Sequence, residues 1–335
     1  MRGLLVASLL CASLAHAKLP KLVLSGPYAA VSYPLIHMVE SGALKDVAEV
    51  VEFRPWKDPD QLRVLALNEK SNVDFVAMPT NVAANLYNRG VKLQLVNVST
   101  WGVLWMVSRE NNLKTLADFK GKEILMPFRA DMPDIVFQAL AEKQGLNVKR
   151  DFKLRYVASP LDAMQLLITR RADHALLAEP AVSVALRKTK SFPVSIIAPE
   201  LFRSVDLQQE WGRVLQREAR IPQAGMVAMG RALANPALIE KFQKAYAASL
   251  AWCEKDPDEC GKLVAKRVDM LTPEGVADSV RVDNTVFVTA RDAKPELEYF
   301  FGLLHAKQPA LIGGKLPDAG FYGPAPGKGT GAAKQ

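Results

Sequence analysis

The chain reads as an α/β protein of two domains, and three observations lead there. Its 335 residues exceed what one hydrophobic core of ordinary size organises, at roughly 100–200 residues per domain. Short apolar runs alternate with amphipathic stretches, as strands alternate with crossover helices in α/β folds. Four of those runs end at a proline that leads into a helix-like segment.

The N-terminus is set apart from this pattern. Met1-Arg2 is a small cationic start, residues 3–14 are an apolar run, and Ala15-His16-Ala17 ends in a small-x-small pattern. This is the layout of a secretory signal peptide, and cleavage is expected after Ala17. The apolar run is shorter than the about 20 residues that span a bilayer. Leu9 and Leu10 precede Cys11, where a lipid-attachment motif requires a small residue. The chain is therefore expected to be exported to the periplasm without an anchor.

Four junctions follow, at residues 21–26 before Pro27, 73–78 before Pro79, 123–126 before Pro127 and 175–179 before Pro180. The segments after them begin near Pro34, Thr80, Pro133 and Pro180. Proline has no N–H for a sheet ladder but suits a first helical turn, so each site reads as the carboxyl end of a strand meeting a helix N-terminus. In open parallel sheets that edge is where ligands bind. A ligand cleft is predicted on this ground alone.

Between the second and third junctions, residues 90–109 form two β-rich runs split at Thr100-Trp101-Gly102, and residues 111–121 read as a turn with one helical turn. After Pro180 come a helix to about Lys188, a short strand at 193–198, a polar stretch at 208–220 and a strand at 225–229. Three helices open at Asn235-Pro236, Asp256-Pro257 and Thr272-Pro273. On the first, Leu238, Phe242, Ala245, Ser249 and Trp252 share one face and form a core stripe. The tail at 323–335 is rich in Gly, Pro and Ala and is expected to be disordered.

Cys253 and Cys260 are the two cysteines beyond the leader. In one unbroken helix seven residues span about 10.5 Å, too far for a disulfide. Asp256-Pro257 breaks the helix between them, so a disulfide is predicted, with a pair of free thiols as the alternative.

The net charge of +8 is spread along the chain. No groove-reading motif or basic-aromatic stripe accompanies it, and no nucleic-acid partner is expected. Hydrolase elbows, zinc-protease helices, Walker loops and dinucleotide fingerprints do not occur. His37, His174 and His305 stand apart from one another, and Met78, Met126 and Met132 read as core or pocket filling rather than a copper site. The expectation is no metal, no cofactor and no catalysis.

Several segments together resemble the nitrate/sulfonate/taurine (NitT/TauT) branch of periplasmic solute-binding proteins of ABC importers, which is also similar to pyrimidine-precursor (thiamine) binding proteins. They are 116–123 (LADFKGKE), 73–90 (VDFVAMPTNVAANLYNRG), 161–180 (LDAMQLLITRRADHALLAEP) and 317–322 (PDAGFY). The chain departs from the pattern at Arg171, where a small residue is usual, and at His174, where alanine is. The resemblance implies a type II periplasmic binding protein: two α/β lobes, joined by two crossover strands near 104–109 and 223–229, gripping a ligand between them. The first lobe would comprise 18–105 and 222–322, and the second 106–221. A monomer is implied, with a small-molecule ligand and with a membrane permease and its ATPase as partners. A sensory receptor is the alternative reading. An enzyme on the same fold is less favoured, since the related synthases use a Cys-rich run that this chain lacks.

Candidate ligand contacts follow from position and chemistry. Ser25, Tyr28, Ser32 and Tyr33 lie at the first junction, Met78, Thr80 and Asn81 at the second, and Trp101 offers a stacking face near a crossover. In the second lobe the candidates are Phe128, Arg129, Asp131 and Met132 at the third junction and Glu179 at the fourth. Arg129 suits an anionic group; Asp131 and Glu179 suit a ligand donor, and Asp131 equally suits a helix N-cap. Four aromatic candidates favour a small organic ligand, whether sulfonate, carboxylate or heterocycle, over an inorganic anion.

Overall fold

The computed structural model describes residues 18–198, 200–283 and 285–323. The expected signal peptide, and all of the expected tail beyond Gly323, lie outside the described residues. The first third of the chain holds β1 (Leu19–Gly26), α1 (Tyr33–Glu40), β2 (Ala48–Pro55), α2 (Pro59–Leu67), β3 (Phe75–Pro79), α3 (Thr80–Asn88), β4 (Leu93–Thr100) and β5 (Leu104–Ser108). Next come β6 (Glu123–Pro127), α4 (Met132–Lys143), α5 (Val148–Asp151), β7 (Lys153–Val157), α6 (Pro160–Ile168), β8 (His174–Ala178), α7 (Ala181–Lys190), α8 (Val194–Ile197), β9 (Phe202–Asp206) and α9 (Leu207–Leu215). The chain closes with β10 (Ala224–Met229), α10 (Gly230–Leu233), α11 (Pro236–Lys255), α12 (Pro257–Ala265), α13 (Pro273–Val282), β11 (Thr285–Thr289) and α14 (Lys294–Lys307).

These strands form two mixed sheets, ordered β11-β4-β10-β3-β1-β2 and β7-β6-β8-β5-β9. In the first, β1 runs parallel to β2 and β3, while β10 is antiparallel to β3 and β4. In the second, β6 runs parallel to β7 and β8, while β5 is antiparallel to β8 and β9. Helices cover both faces of each central strand, which explains continuous rather than alternating apolar runs. In β3, Phe75 and Ala77 pack towards α11, where the Phe75 and Phe242 rings stack with centroids 3.8 Å apart, while Val76 and Met78 enter a separate core. In β6, Ile124 and Met126 likewise face one core and Leu125 another.

The strand predicted at 193–198 is instead the helical turn α8, entered through Pro193. Pro193 lacks the ladder donor, and Phe192, Ile196 and Ile197 are exposed rather than core. The open edge of β5 is filled by β9, whose half-buried Phe-Arg-Ser-Val-Asp pattern is that of an edge strand. The polar stretch after it holds α9, capped by Asp206 and pinned by the buried Trp211.

The chain passes between the sheets at residues 101–103 and 207–223. The two passages are bonded to one another: Ile221 N donates to Trp101 O at 2.9 Å and Gln223 N to Thr100 O at 3.0 Å. Gly102 sits between them at φ +132°, with the Gln208 side chain packed where a Cβ would stand. Gly102→Ala should therefore cost about 1–3 kcal/mol, since strained backbone is added to crowding. Chemical denaturation would measure it, and an unchanged midpoint would contradict this account of the passage.

The break at Asp256 between α11 and α12 brings Cys253 and Cys260 to a Cα separation of 5.1 Å, and the two are bonded. The short loop they close limits the gain to about 2–3 kcal/mol. Replacing both by alanine should lower stability by about that amount in oxidised protein, and adding reductant to the parent should reproduce the loss.

Candidate functional site

Residues beside all four proline junctions, at the ends of β1, β3, β6 and β8, line one space. Between the two sheets lies a cavity of about 100 Å³. Pro27, Val31, Trp56, Met78 and Pro79 line it from the first sheet's side, and Phe128, Met132, Pro133, Pro160 and Ala178 from the second's. Thr100, Val103 and Gln223, from the passages between the sheets, line it as well. The walls are mainly apolar. Beyond Pro59 and Phe128 a wider surface groove carries Arg54, Arg63 and Arg129.

The loop from β6 to α4 is wound tightly to reach this position. Phe128 and Ala130 both hold positive φ, at 56° and 58°, a conformation that non-glycine residues adopt at a cost. Phe128 N donates to Val157 O and Asp131 N to Phe128 O, which fixes the loop against β7. Asp131 caps α4 through its Oδ1, which accepts from Met132 N at 2.8 Å. Its Oδ2 accepts from Arg63 Nη2 at 3.3 Å, an ion pair that crosses from α2 to the second sheet's side. Burial pushes the Asp131 carboxyl up, against the opposing pull of Met132 N, Arg63 and the Asn81 side chain.

Several other candidates reach the cleft region without lining the cavity. Ser25 and Ser32 are fully buried, and their hydroxyls have no hydrogen-bond partner, as is also true of Asn81 Oδ1 and of the cavity-lining Thr100 Oγ1. Thr80 is bound to the passage, its Oγ1 donating to Pro222 O at 2.5 Å and its N to Gln223 O. Arg129 is exposed in the outer groove, with its guanidinium 5.1 Å from the Tyr156 ring centre.

Four candidates face elsewhere. Tyr28 packs, half-buried, against the core that holds the disulfide. Tyr33 is buried with its hydroxyl 3.1 Å from Ser279 Oγ, and burial pushes it well above the usual tyrosine range. Trp101 donates its indole N–H to Val286 O at 2.9 Å, and Arg220 lies 4.0 Å over the ring. Glu179 is turned away from the cavity: its Oε1 accepts from Arg203 Nη2 at 2.6 Å and its Oε2 from Ser183 N at 2.9 Å. Burial holds the Glu179 carboxyl up despite Arg203. Asp283 shares this interior, with both carboxylate oxygens buried and unbonded; burial first, and then the Glu179 charge, drive its carboxyl well up.

Trp56, Pro160 and Arg63 are not among the candidates that the sequence suggests. Trp56 donates to Ala77 O at 3.0 Å and presents its ring to the cavity. Two of the three carry a readable signal: Pro55 and then Asp58-Pro59, and again Ser159-Pro160, repeat the strand–proline–helix junction. Among the described residues, no helix is long and apolar enough to cross a membrane, and no group of three or more His, Cys, Asp and Glu is placed to hold a metal ion.

Two sheets of mixed strands, two passages between them and a cleft at the strand ends define the periplasmic-binding-protein fold. Solved structures agree. An ABC transporter protein from Parabacteroides distasonis superposes with a TM-score of 0.71 at 24% identity, covering 90% of this chain and 98% of that one. The alkanesulfonate-binding protein SsuA from Xanthomonas axonopodis pv. citri, bound to MOPS, gives 0.64 at 16% identity over 91% and 97% of the two chains. The nitrate-binding protein NrtA from Synechocystis PCC 6803 gives 0.65 at 14% over 88% and 84%. No curated protein sequence matches the chain. Residues 51–260 match the NMT1/THI5-like family model, and the chain belongs to that family.

The raised Asp131 carboxyl sets a pH dependence. A carboxyl lifted by folding adds stability below its unfolded value, near pH 4, and that contribution is lost as pH rises through the lifted value. Asp131→Asn keeps the helix cap and removes the titration. The melting temperature of the variant relative to the parent should therefore climb from pH 4 to pH 7; a flat difference would contradict the assignment.

Proposed function

We propose that this chain is the exported solute-binding component of an ABC importer, binding a small organic solute in the cleft and delivering it to a membrane permease. In this reading residues 1–17 are removed on export, and the oxidising compartment maintains the Cys253–Cys260 bond. Residues 18–105 with 222–322 form one lobe, and 106–221 the other. The protein acts as a monomer and leaves its solute chemically unchanged.

The observation that carries the proposal is the cavity itself, built from both sheets at the converging junctions and bridged by the Arg63–Asp131 pair. Binding energy shared between two lobes draws them together, so solute shifts the population towards the closed form. The chemistry of the walls narrows the solute class. Trp56, Phe128, Met78 and Met132 suit a flat apolar body. On the wall, Thr100 Oγ1 has no internal partner and suits a polar edge. The Asp131 carboxylate suits a donor and opposes a bare inorganic anion at the same spot. A neutral or cationic heterocycle is therefore favoured over nitrate, with any anionic substituent directed to Arg129 in the outer groove.

Native mass spectrometry of the purified chain, followed by calorimetry against pyrimidines, sulfonates, carboxylates and nitrate, tests this. An organic solute should bind, and Phe128→Ala should weaken it by about tenfold or more, a loss of about 1.4 kcal/mol, while the thermal midpoint changes little. Binding of nitrate with none of the organic panel, or a Phe128→Ala variant of parental affinity, would overturn the reading.

A further inference from the structure

The segment after α7 carries three of the chain's exposed large apolar side chains within six residues: Phe192 at 81% exposure, Ile196 at 73% and Ile197 at 65%. Their exposure is held by the local fold rather than by looseness. Val194 packs on the core and Ala198 is buried. Ser195 N donates to Ser191 O at 2.9 Å, Ile196 N to Pro193 O at 3.1 Å and Ala198 N to Val194 O at 2.8 Å. The turn thus presents one apolar tip outward and one anchor inward.

Cations surround the tip. Arg170 Nη1 donates to Ile197 O at 3.1 Å, which places its guanidinium against the turn. Arg171 follows it in the chain, and the exposed Lys190 stands two residues before Phe192. The opposing charges are Glu200, which pairs with Lys190 at 2.6 Å, and Asp173, which pairs with Arg109 at 3.4 Å. The neighbourhood is net positive around an apolar point.

We propose that this tip docks on an anionic phospholipid surface, with Phe192, Ile196 and Ile197 entering the headgroup–acyl boundary and Arg170, Arg171 and Lys190 meeting lipid phosphates. Two arguments select a membrane over a protein partner. An aromatic side chain buries roughly 150–250 Å² and an isoleucine less, so one phenylalanine and two isoleucines stay below the about 800 Å² per partner of a stable protein interface. Apolar residues flanked by Lys and Arg, by contrast, are the recurring composition of surfaces that lie in the bilayer interface. The tip stands at the far end of α7 from the cleft junction at Pro180, about 15 Å along the helix, so lipid contact and solute occupancy do not compete for the same surface.

Co-sedimentation of the processed chain with vesicles tests the proposal. It should bind vesicles of phosphatidylglycerol mixed with phosphatidylcholine, lose that binding as salt is raised, and bind pure phosphatidylcholine weakly. Free inorganic phosphate at matched ionic strength should not compete. The combined Phe192→Ser, Ile196→Ser, Ile197→Ser variant should lose about tenfold or more of the bound fraction, and Arg170→Gln with Arg171→Gln several-fold. Thermal unfolding and solute retention are read on each variant, so that a folding defect or a failure of the cleft is seen separately. Absent binding to anionic vesicles, a triple-serine variant that binds like the parent, or a parent dimer that this variant dissolves would each overturn the proposal.

Discussion

Two backbone hydrogen bonds, from Ile221 N to Trp101 O and from Gln223 N to Thr100 O, tie together the passages that link the sheets. The cleft depends on them. They continue the pairing of β10 with β4, in which Ala224 stands opposite Thr100, and so lock the ends of the first sheet to the start of the second. Thr80 adds to the lock through Gln223 O and Pro222 O, and the Gln223 side chain accepts from Val103 N at 3.2 Å. A short bonded ribbon resists sliding and splaying but permits rotation about its own axis. Backbone groups supply most of this constraint.

Around the ribbon, contacts across the cleft divide by chemistry. On one flank α13 meets α7, where Arg187 holds Asp278 in a bidentate pair at the surface. On the other, Arg217 holds Glu296 while lying 3.7 Å over Tyr299, and Lys307 reaches Glu142 at 2.8 Å. Exposed pairs of this kind contribute little each and exchange readily for water. The buried groups behave differently. Glu179, Arg203 and Asp283 form an interior in which two carboxyls face one guanidinium, and the raised carboxyl of Asp283 leaves that interior closer to neutral than a full ion triad.

Proline makes much of this legible in the chain itself. Four junctions are recognisable because an apolar run that meets a residue without an N–H can hardly continue as a central strand, and each marks a strand or helix end of the structure. The edge strand β9 is hidden because Arg203, Ser204 and Asp206 dilute its apolar content. Phe192 to Ile197 mislead for the opposite reason: apolar residues on a solvent-facing turn imitate a buried strand. Side-chain direction is not readable at all. Glu179 and Tyr33 stand at junctions that open on the cleft, yet Arg203 and Ser279 hold them elsewhere, and such partners lie far away in sequence. Asp131 is legible as a cap because capping is a local property, whereas its pairing with Arg63 across the cleft is not.

The cavity wall combines two kinds of surface with different mechanical character. Pro27, Pro79, Pro133 and Pro160 are closed rings with a single accessible backbone torsion, so their contours cannot yield to a guest. Met78 and Met132 are unbranched thioethers that re-pack at little cost. In the proposed role, a guest meets fixed contours at the proline rings and adaptable ones at the sulfurs.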